Sequence, residues 1–174
     1  MRFWTIGHST RSSEEFVAAL AAYEISLLVD VRKLPGSRRL PQFNQETLRE
    51  TLAEADIMYE WYPDLGGRRK GDPQSQNTAW RNASFRAYAD YMETAEFAQQ
   101  VARLIAAAEQ DRVAFMCAEV LWWQCHRALI SDYLKAAGHE VIHIQDAKKS
   151  QEHPYTSAAK IVDGKLSYRD ATLF

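Results

Sequence analysis

Apolar residues run along this chain in short, nearly continuous stretches, separated by segments in which they return every three or four positions, and that alternation predicts strands and helices in turn. Arg2-Phe3-Trp4-Thr5-Ile6 reads as a first strand, with Gly7-His8-Ser9-Thr10 as the turn after it. Ser12 and Glu15 make a capping box, and Phe16, Leu20 and Tyr23 then form one buried helical face. Ser26 to Val31 is almost wholly apolar, as expected for a strand covered on both faces. Asn44 is placed to cap a second helix, with Phe43 and Leu48 as a hydrophobic staple, and Met58 to Tyr62 resumes strand character.

Periodicity then vanishes from Pro63 to about Ser84. Gly66, Gly67, Gly71 and Pro73 mark a long loop, and residues 66–83 are expected to form a mobile lid. Phe85 to Met92 is helical, and a clearer helix begins at Thr94 with Phe97, Val101, Leu104, Ile105 and Ala108 on its core side. Arg112 to Cys117 is a buried strand, a helix runs from near Gln124 to Gly138, and Glu140 to Ile144 is a fifth strand. Ile161 to Leu166 reads as a hairpin turning at Asp163-Gly164.

The expected architecture is one α/β domain over residues 1–174. Its core is a mostly parallel open sheet of about five strands with helices on both faces, and residues 154–174 form a small C-terminal hairpin and tail. Ligands of open α/β sheets bind beyond the carboxyl ends of the strands. The positions singled out by that rule are His8 and Ser9, Asp30 and Arg32, Asp64 to Gly67, Cys117 to Glu119, and Gln145 with Asp146.

Composition narrows the setting. A chain with 47% hydrophobic and 25% charged residues suits one globular core. No apolar run approaches the roughly 20 residues of a membrane span, and the first residues lack a secretory pattern, so the expected place is the cytoplasm with no membrane partner. There Cys117 and Cys125 read as free thiols. A net charge of −2 predicts no general attraction to nucleic acid, yet the basic residues cluster. Arg32, Lys33, Arg38 and Arg39 form one group and Arg68, Arg69, Lys70 and Arg81 another, as solvated loops or as a binding surface.

Reactive residue types concentrate between Cys117 and Arg127, where a strand end leads into a helix start. The N–H groups of that helix end, Arg127 in its first turn, and Arg32 from a neighbouring loop if the strands are adjacent all favour an anion, and Cys125 at the same helix end would have its thiolate favoured. Asp30, Arg32, Glu119 and Arg127 are expected to share one site because their strands should be neighbours. Cys117 equally reads as a small buried apolar residue, and Arg127 as a partner of Glu119 or Asp30. His8 suits a general acid or base, or a turn; His139, His143 and His153 read as structural. Trp61, Tyr62, Trp80, Trp122 and Trp123 are placed to stack on a ring or to fill the core.

Spacing excludes several templates. Six residues after Cys117 and Cys125 stand Trp123 and Ser131, not the arginine of a tyrosine-phosphatase loop. The second cysteine pair of a zinc deaminase is missing, and Cys117, Cys125 and His126 lack metal-ligand spacing, so no metal is expected. No dinucleotide or phosphate loop motif and no nucleophile elbow occurs, so no cofactor is expected.

Thr5-Ile6-Gly7-His8-Ser9, Leu28-Val29-Asp30-Val31-Arg32 with Pro35 and Ser37, Leu65-Gly66-Gly67, Phe85-x-x-Tyr88-Ala89-x-Tyr91-Met92, Met116-Cys117-Ala118-Glu119, Cys125-His126-Arg127-x-Leu129-Ile130 and His153-Pro154-Tyr155-Thr156 together resemble the domain-of-unknown-function 488 family of small bacterial and archaeal proteins. The resemblance spans most of the chain and implies no established activity. It departs at Val120-Leu121-Trp122-Trp123-Gln124, where family members are more often polar with a proline. Val29 to Arg32 is also similar to part of a rhodanese domain, without the rhodanese active loop.

The leading expectation is an enzyme of hydrolase or transferase type acting on an anionic small molecule or nucleotide-like substrate. Cys117 or Cys125 would be its nucleophile and Glu119 or His8 its acid or base, while Asp30, Arg32, Ser37, Gly66, Gly67, His126 and Arg127 bind substrate. The alternative is a non-catalytic nucleic-acid binding module using the basic loops and aromatics. The oligomeric state is not fixed by the sequence.

Overall fold

The computed structural model describes residues 1–170; the last four residues of the expected C-terminal tail lie outside the described residues. Six strands form the main sheet: β1 (Arg2–Gly7), β2 (Leu27–Asp30), β3 (Met58–Trp61), β4 (Val113–Cys117), β5 (Glu140–Ile144) and β6 (Ser150–Glu152). Their order is β3-β2-β4-β1-β5-β6, parallel throughout except for antiparallel β6 at the edge. The chain is thus α/β with a mostly parallel sheet, as expected, and with one strand more. Strand β6 escaped notice because Ser150-Gln151-Glu152 is polar and exposed, an edge with no apolar face to show.

The helices are α1 (Ser13–Ala22), α2 (Gln45–Glu54), α3 (Ala83–Tyr91), α4 (Ala95–Ala107) and α5 (Arg127–Ala136). Helix α1 starts on a complete capping box between Ser12 and Glu15. Asn44 does precede α2, but its side chain does not cap it, because Asn44 Oδ1 accepts the Ser37 N–H instead. A short hairpin, β7 (Lys160–Val162) and β8 (Lys165–Ser167), turns at Asp163 and Gly164 with positive φ at both, the turn that Asp-Gly favours. No helix of the described residues is long and apolar enough to cross a membrane.

Strands β2 and β4 are buried along their whole length, and successive side chains point to opposite faces. Trp4, Ile6, Leu28, Ala114 and Met116 pack with Phe16 and Leu20 of α1 and Leu48 and Leu52 of α2. Phe3, Val29, Val113, Phe115 and Cys117 pack on the other face with Phe97, Val101 and Leu104 of α4 and Leu129, Ile130 and Leu134 of α5. This parity decides the site's membership. Cys117 and Thr5 belong to the α3–α5 face, and Asp30, in phase with Leu28, belongs to the α1–α2 face.

Candidate functional site

Strand β4 ends at Cys117, and the next residues cross the carboxyl end of β1. His8 N–H donates to the Cys117 carbonyl and Ser9 N–H to that of Ala118, both at 3.0 Å. Gly7 makes that crossing possible, since a Cβ there would lie 1.9 Å from the Glu119 carbonyl oxygen. Trp122–Gln124 then make one 3-10 turn, Cys125 returns to extended backbone, and His126 is the N-cap of α5. The helix therefore begins at Arg127 rather than near Gln124, and Cys125 stands just ahead of it with its sulfur accepting the Arg127 N–H at 3.4 Å.

The two sulfurs lie 2.6 Å apart as free cysteines. Arg127 Nε donates to Cys117 Sγ at 3.0 Å, Nη1 to Thr5 Oγ1 at 3.0 Å, and Nη2 to the Glu119 and Val120 carbonyls. The guanidinium is 1% exposed, and these partners include no carboxylate. A buried cation needs a counter-charge, and the acids within reach are the thiols. Against burial, which opposes ionisation, the Cys117 S–H and Arg127 pull the Cys125 thiol down to about 7. Burial and the neighbouring sulfur push Cys117 up, so Cys117 is the proton-bearing member.

His126 completes the arrangement. Its Nε2 donates to the Val31 carbonyl at 3.1 Å, which fixes the tautomer and leaves Nδ1 facing Cys125 Sγ at 3.5 Å. Burial lowers its pKa, so the ring is neutral and able to take a proton. Gly67 lies against this ring, where a Cβ would come 3.4 Å from Nδ1. A crevice of about 480 Å³ opens above the sulfurs, lined among others by Arg32, Lys33, Arg68, Glu119 and Gln124 with Phe85 and Tyr88. Its size suits a small molecule.

The other expected residues sit elsewhere. Asp30 is fully buried and holds Arg32 by two guanidinium bonds at 2.9 and 2.7 Å and by the Arg32 N–H. Tyr59 also donates to it, so the pair fixes how Arg32 enters the crevice. His8 donates from Nδ1 to the Ser9 carbonyl, faces Arg32 with Nε2 at 3.4 Å, and stacks on Phe43. Burial lowers its pKa to about 4, and it does not line the crevice. Ser37 accepts the Leu40 N–H away from the crevice, and Gly66 is pressed against the Lys33 backbone. Of the four residues expected to share one site, Arg32 and Glu119 line the crevice together, Arg127 lies beneath it, and Asp30 stands on the opposite sheet face behind Arg32.

Sequence reasoning missed Thr5, Gly7 and Tyr88, and it gave His143 no partner. Thr5 and His143 face each other in the β1–β5 register, a pairing that no local spacing signals. A threonine at the centre of an otherwise apolar strand was the available clue. Among the described residues, no three His, Cys, Asp or Glu side chains converge in a set that would hold a metal ion.

A family model described as Domain of unknown function DUF488 matches residues 12–134, which hold both cysteines, His126 and Arg127 but neither Thr5 nor His143. No curated protein and no solved structure matches the chain.

Proposed function

The chain belongs to the DUF488 family, and on that premise we propose that its crevice carries out covalent thiol chemistry on an anionic small molecule, nucleotide-like in size, in a hydrolase or transferase type of reaction. The observation that carries this reading is Arg127, a buried cation whose nearest acids are two touching thiols. Cys125 is the nucleophile: its thiolate lies at the start of α5, where the Arg127 N–H and the helix dipole stabilise negative charge. His126 Nδ1 receives the Cys125 proton and returns it to the leaving group as the bond from sulfur to the substrate's electrophilic centre forms. Water or a second acceptor then displaces Cys125. Arg32, Lys33 and Arg68 hold the substrate's negative group, and Tyr88 and Phe85 support its body.

Alkylation tests this directly. Iodoacetate and iodoacetamide differ in charge, and a simple free thiol reacts faster with the neutral reagent. At pH 7 Cys125 is expected to label ahead of Cys117, with the anionic reagent favoured relative to glutathione. Phosphate or sulfate should protect competitively, and Arg32→Ala with Arg68→Ala should remove both effects. Thiols that label only on unfolding, or labelling indifferent to phosphate, would overturn the reading.

A second reading, a nucleic-acid binding module, draws support from Trp123, which is half exposed, and from the exposed basic side chains Lys33, Arg38, Arg39, Arg68, Lys70 and Arg81.

A further inference from the structure

Behind Arg127 a row of buried polar side chains leads away from the crevice. Arg127 Nη1 donates to Thr5 Oγ1 at 3.0 Å, and Thr5 Oγ1 lies 2.6 Å from His143 Nδ1. His143 Nε2 is 2.8 Å from His153 Nδ1, and His153 Nε2 is 2.8 Å from Asp132 Oδ1. Each of these five side chains is at most 2% exposed. Trp122 closes the row on one side, its ring parallel to that of His143 at 4.5 Å with its N–H held by Gln151.

The protons in this row have one consistent direction. Asp132 accepts from the Thr156 N–H and hydroxyl and from the Tyr168 hydroxyl as well as from His153, so it is an acceptor at every contact. With both rings neutral, His153 carries its proton on Nε2 toward Asp132 and accepts on Nδ1, and His143 donates from Nε2 and accepts on Nδ1. The Thr5 hydroxyl proton is then committed to His143. Its oxygen is left with lone pairs only toward Arg127. Burial above all pushes His143 down, to about 2, which keeps it neutral in this role.

We infer that Asp132, His153, His143 and Thr5 are positioning residues that hold the Arg127 guanidinium against Cys117 and so keep the sulfur pair ionised. The inference rests on the thiol reading above and adds what maintains it. Without an acceptor at Thr5, Nη1 loses its anchor, and the guanidinium is held only by the carbonyls and the sulfur themselves. The charged and titratable groups around the row are His126 and the two cysteines ahead of α5, Arg11 ahead of α1, Lys135 on the His153 carbonyl, and Tyr168 on Asp132.

The experiment is the pH profile of iodoacetamide labelling, with thermal melting to check folding. Wild-type protein is expected to show a thiol ionising near 7. Thr5→Val keeps the shape and removes the hydroxyl; it should raise that midpoint by about one unit, a roughly fivefold slower rate at pH 7 because the thiolate fraction there falls from about one half to about one tenth. Thr5→Ser, which restores the hydroxyl, should return the wild-type profile. Asp132→Asn should shift the profile the same way from the far end of the row, and it serves where Thr5→Val does not fold. Nitrogen NMR of the imidazoles should find the Nε2–H tautomer in both His143 and His153 at pH 7. Folded Thr5→Val and Asp132→Asn proteins with the wild-type profile overturn the inference and leave the thiol reading standing, and so does the other tautomer in either ring. If phosphate fails to protect the wild type while the variants still shift the profile, the anion reading falls and the row stands. Wild-type thiols that ionise only in the ordinary range overturn both.

Discussion

Two histidines that stay neutral when buried make the folded state sensitive to acid. His8, lowered to about 4, and His143, lowered to about 2, both bind a proton near pH 6.5 once the chain unfolds. Between pH 7 and 5 the unfolded state therefore holds more protons than the folded one, so stability rises with pH across that window and is lost on acidification. Each histidine contributes a slope approaching roughly 1.4 kcal/mol per pH unit once the pH is below its unfolded pKa. Urea unfolding at pH 7, 6 and 5 should show the decline, and His8→Gln should remove part of it, with His143 and the likewise lowered His126 supplying more of the slope; a flat profile would contradict the burial of these rings. At this scale the sequence disclosed residue types and not partners. Cys117, Cys125, His126 and Arg127 stood out because they follow a strand, and they do meet. The role of His8 as acid or base was read from its place after β1, yet the parity of Ile6 and His8 turns it to the α1–α2 face, and His126 takes the position beside the sulfur.

Among the elements, the long connection between β3 and α3 was recognisable by its lost periodicity, but its anchoring was not. Arg69 donates to the Gly66 and Asp64 carbonyls and lies over the Tyr91 ring, Asn77 is buried on Asp90, and Trp80 packs on Phe85 and Tyr168. Between these two anchored ends, residues 70–74 are exposed. Trypsin is expected to cut first after Lys70, and sulfate in the adjoining crevice should slow that cut through Arg68. First cleavage at Arg103 or elsewhere outside residues 66–83 instead would show that the segment is not the mobile lid its composition suggests. The start of α5 was misplaced by three residues for a comparable reason. Trp122-Trp123-Gln124 has the composition of a helical turn, and what ends that turn is the demand that Cys125 reach Cys117, a tertiary constraint invisible to local propensity.

For the molecule as a whole, alternation of strand and helix disclosed the α/β class, while the order β3-β2-β4-β1-β5-β6 depended on crossovers that periodicity does not encode. The same scale separates the two functional readings. A module that binds single-stranded nucleic acid through its basic loops should lose affinity steeply between 50 and 200 mM salt, roughly a few hundredfold if about six phosphates are contacted. Thiol labelling in the crevice should change far less, because Cys125 and Arg127 are shielded from solvent. Fluorescence anisotropy with a short single-stranded oligonucleotide measures the first and mass spectrometry the second; tight oligonucleotide binding with inert thiols would favour the module. The hydroxyl of Thr5 joins β1 to a histidine 138 residues later and to an arginine 122 residues later. Such distant segments meet late in folding, after the local helices have formed. A nascent or half-folded chain therefore carries two ordinary thiols, and the reactive sulfur comes into being together with the walls that shelter it.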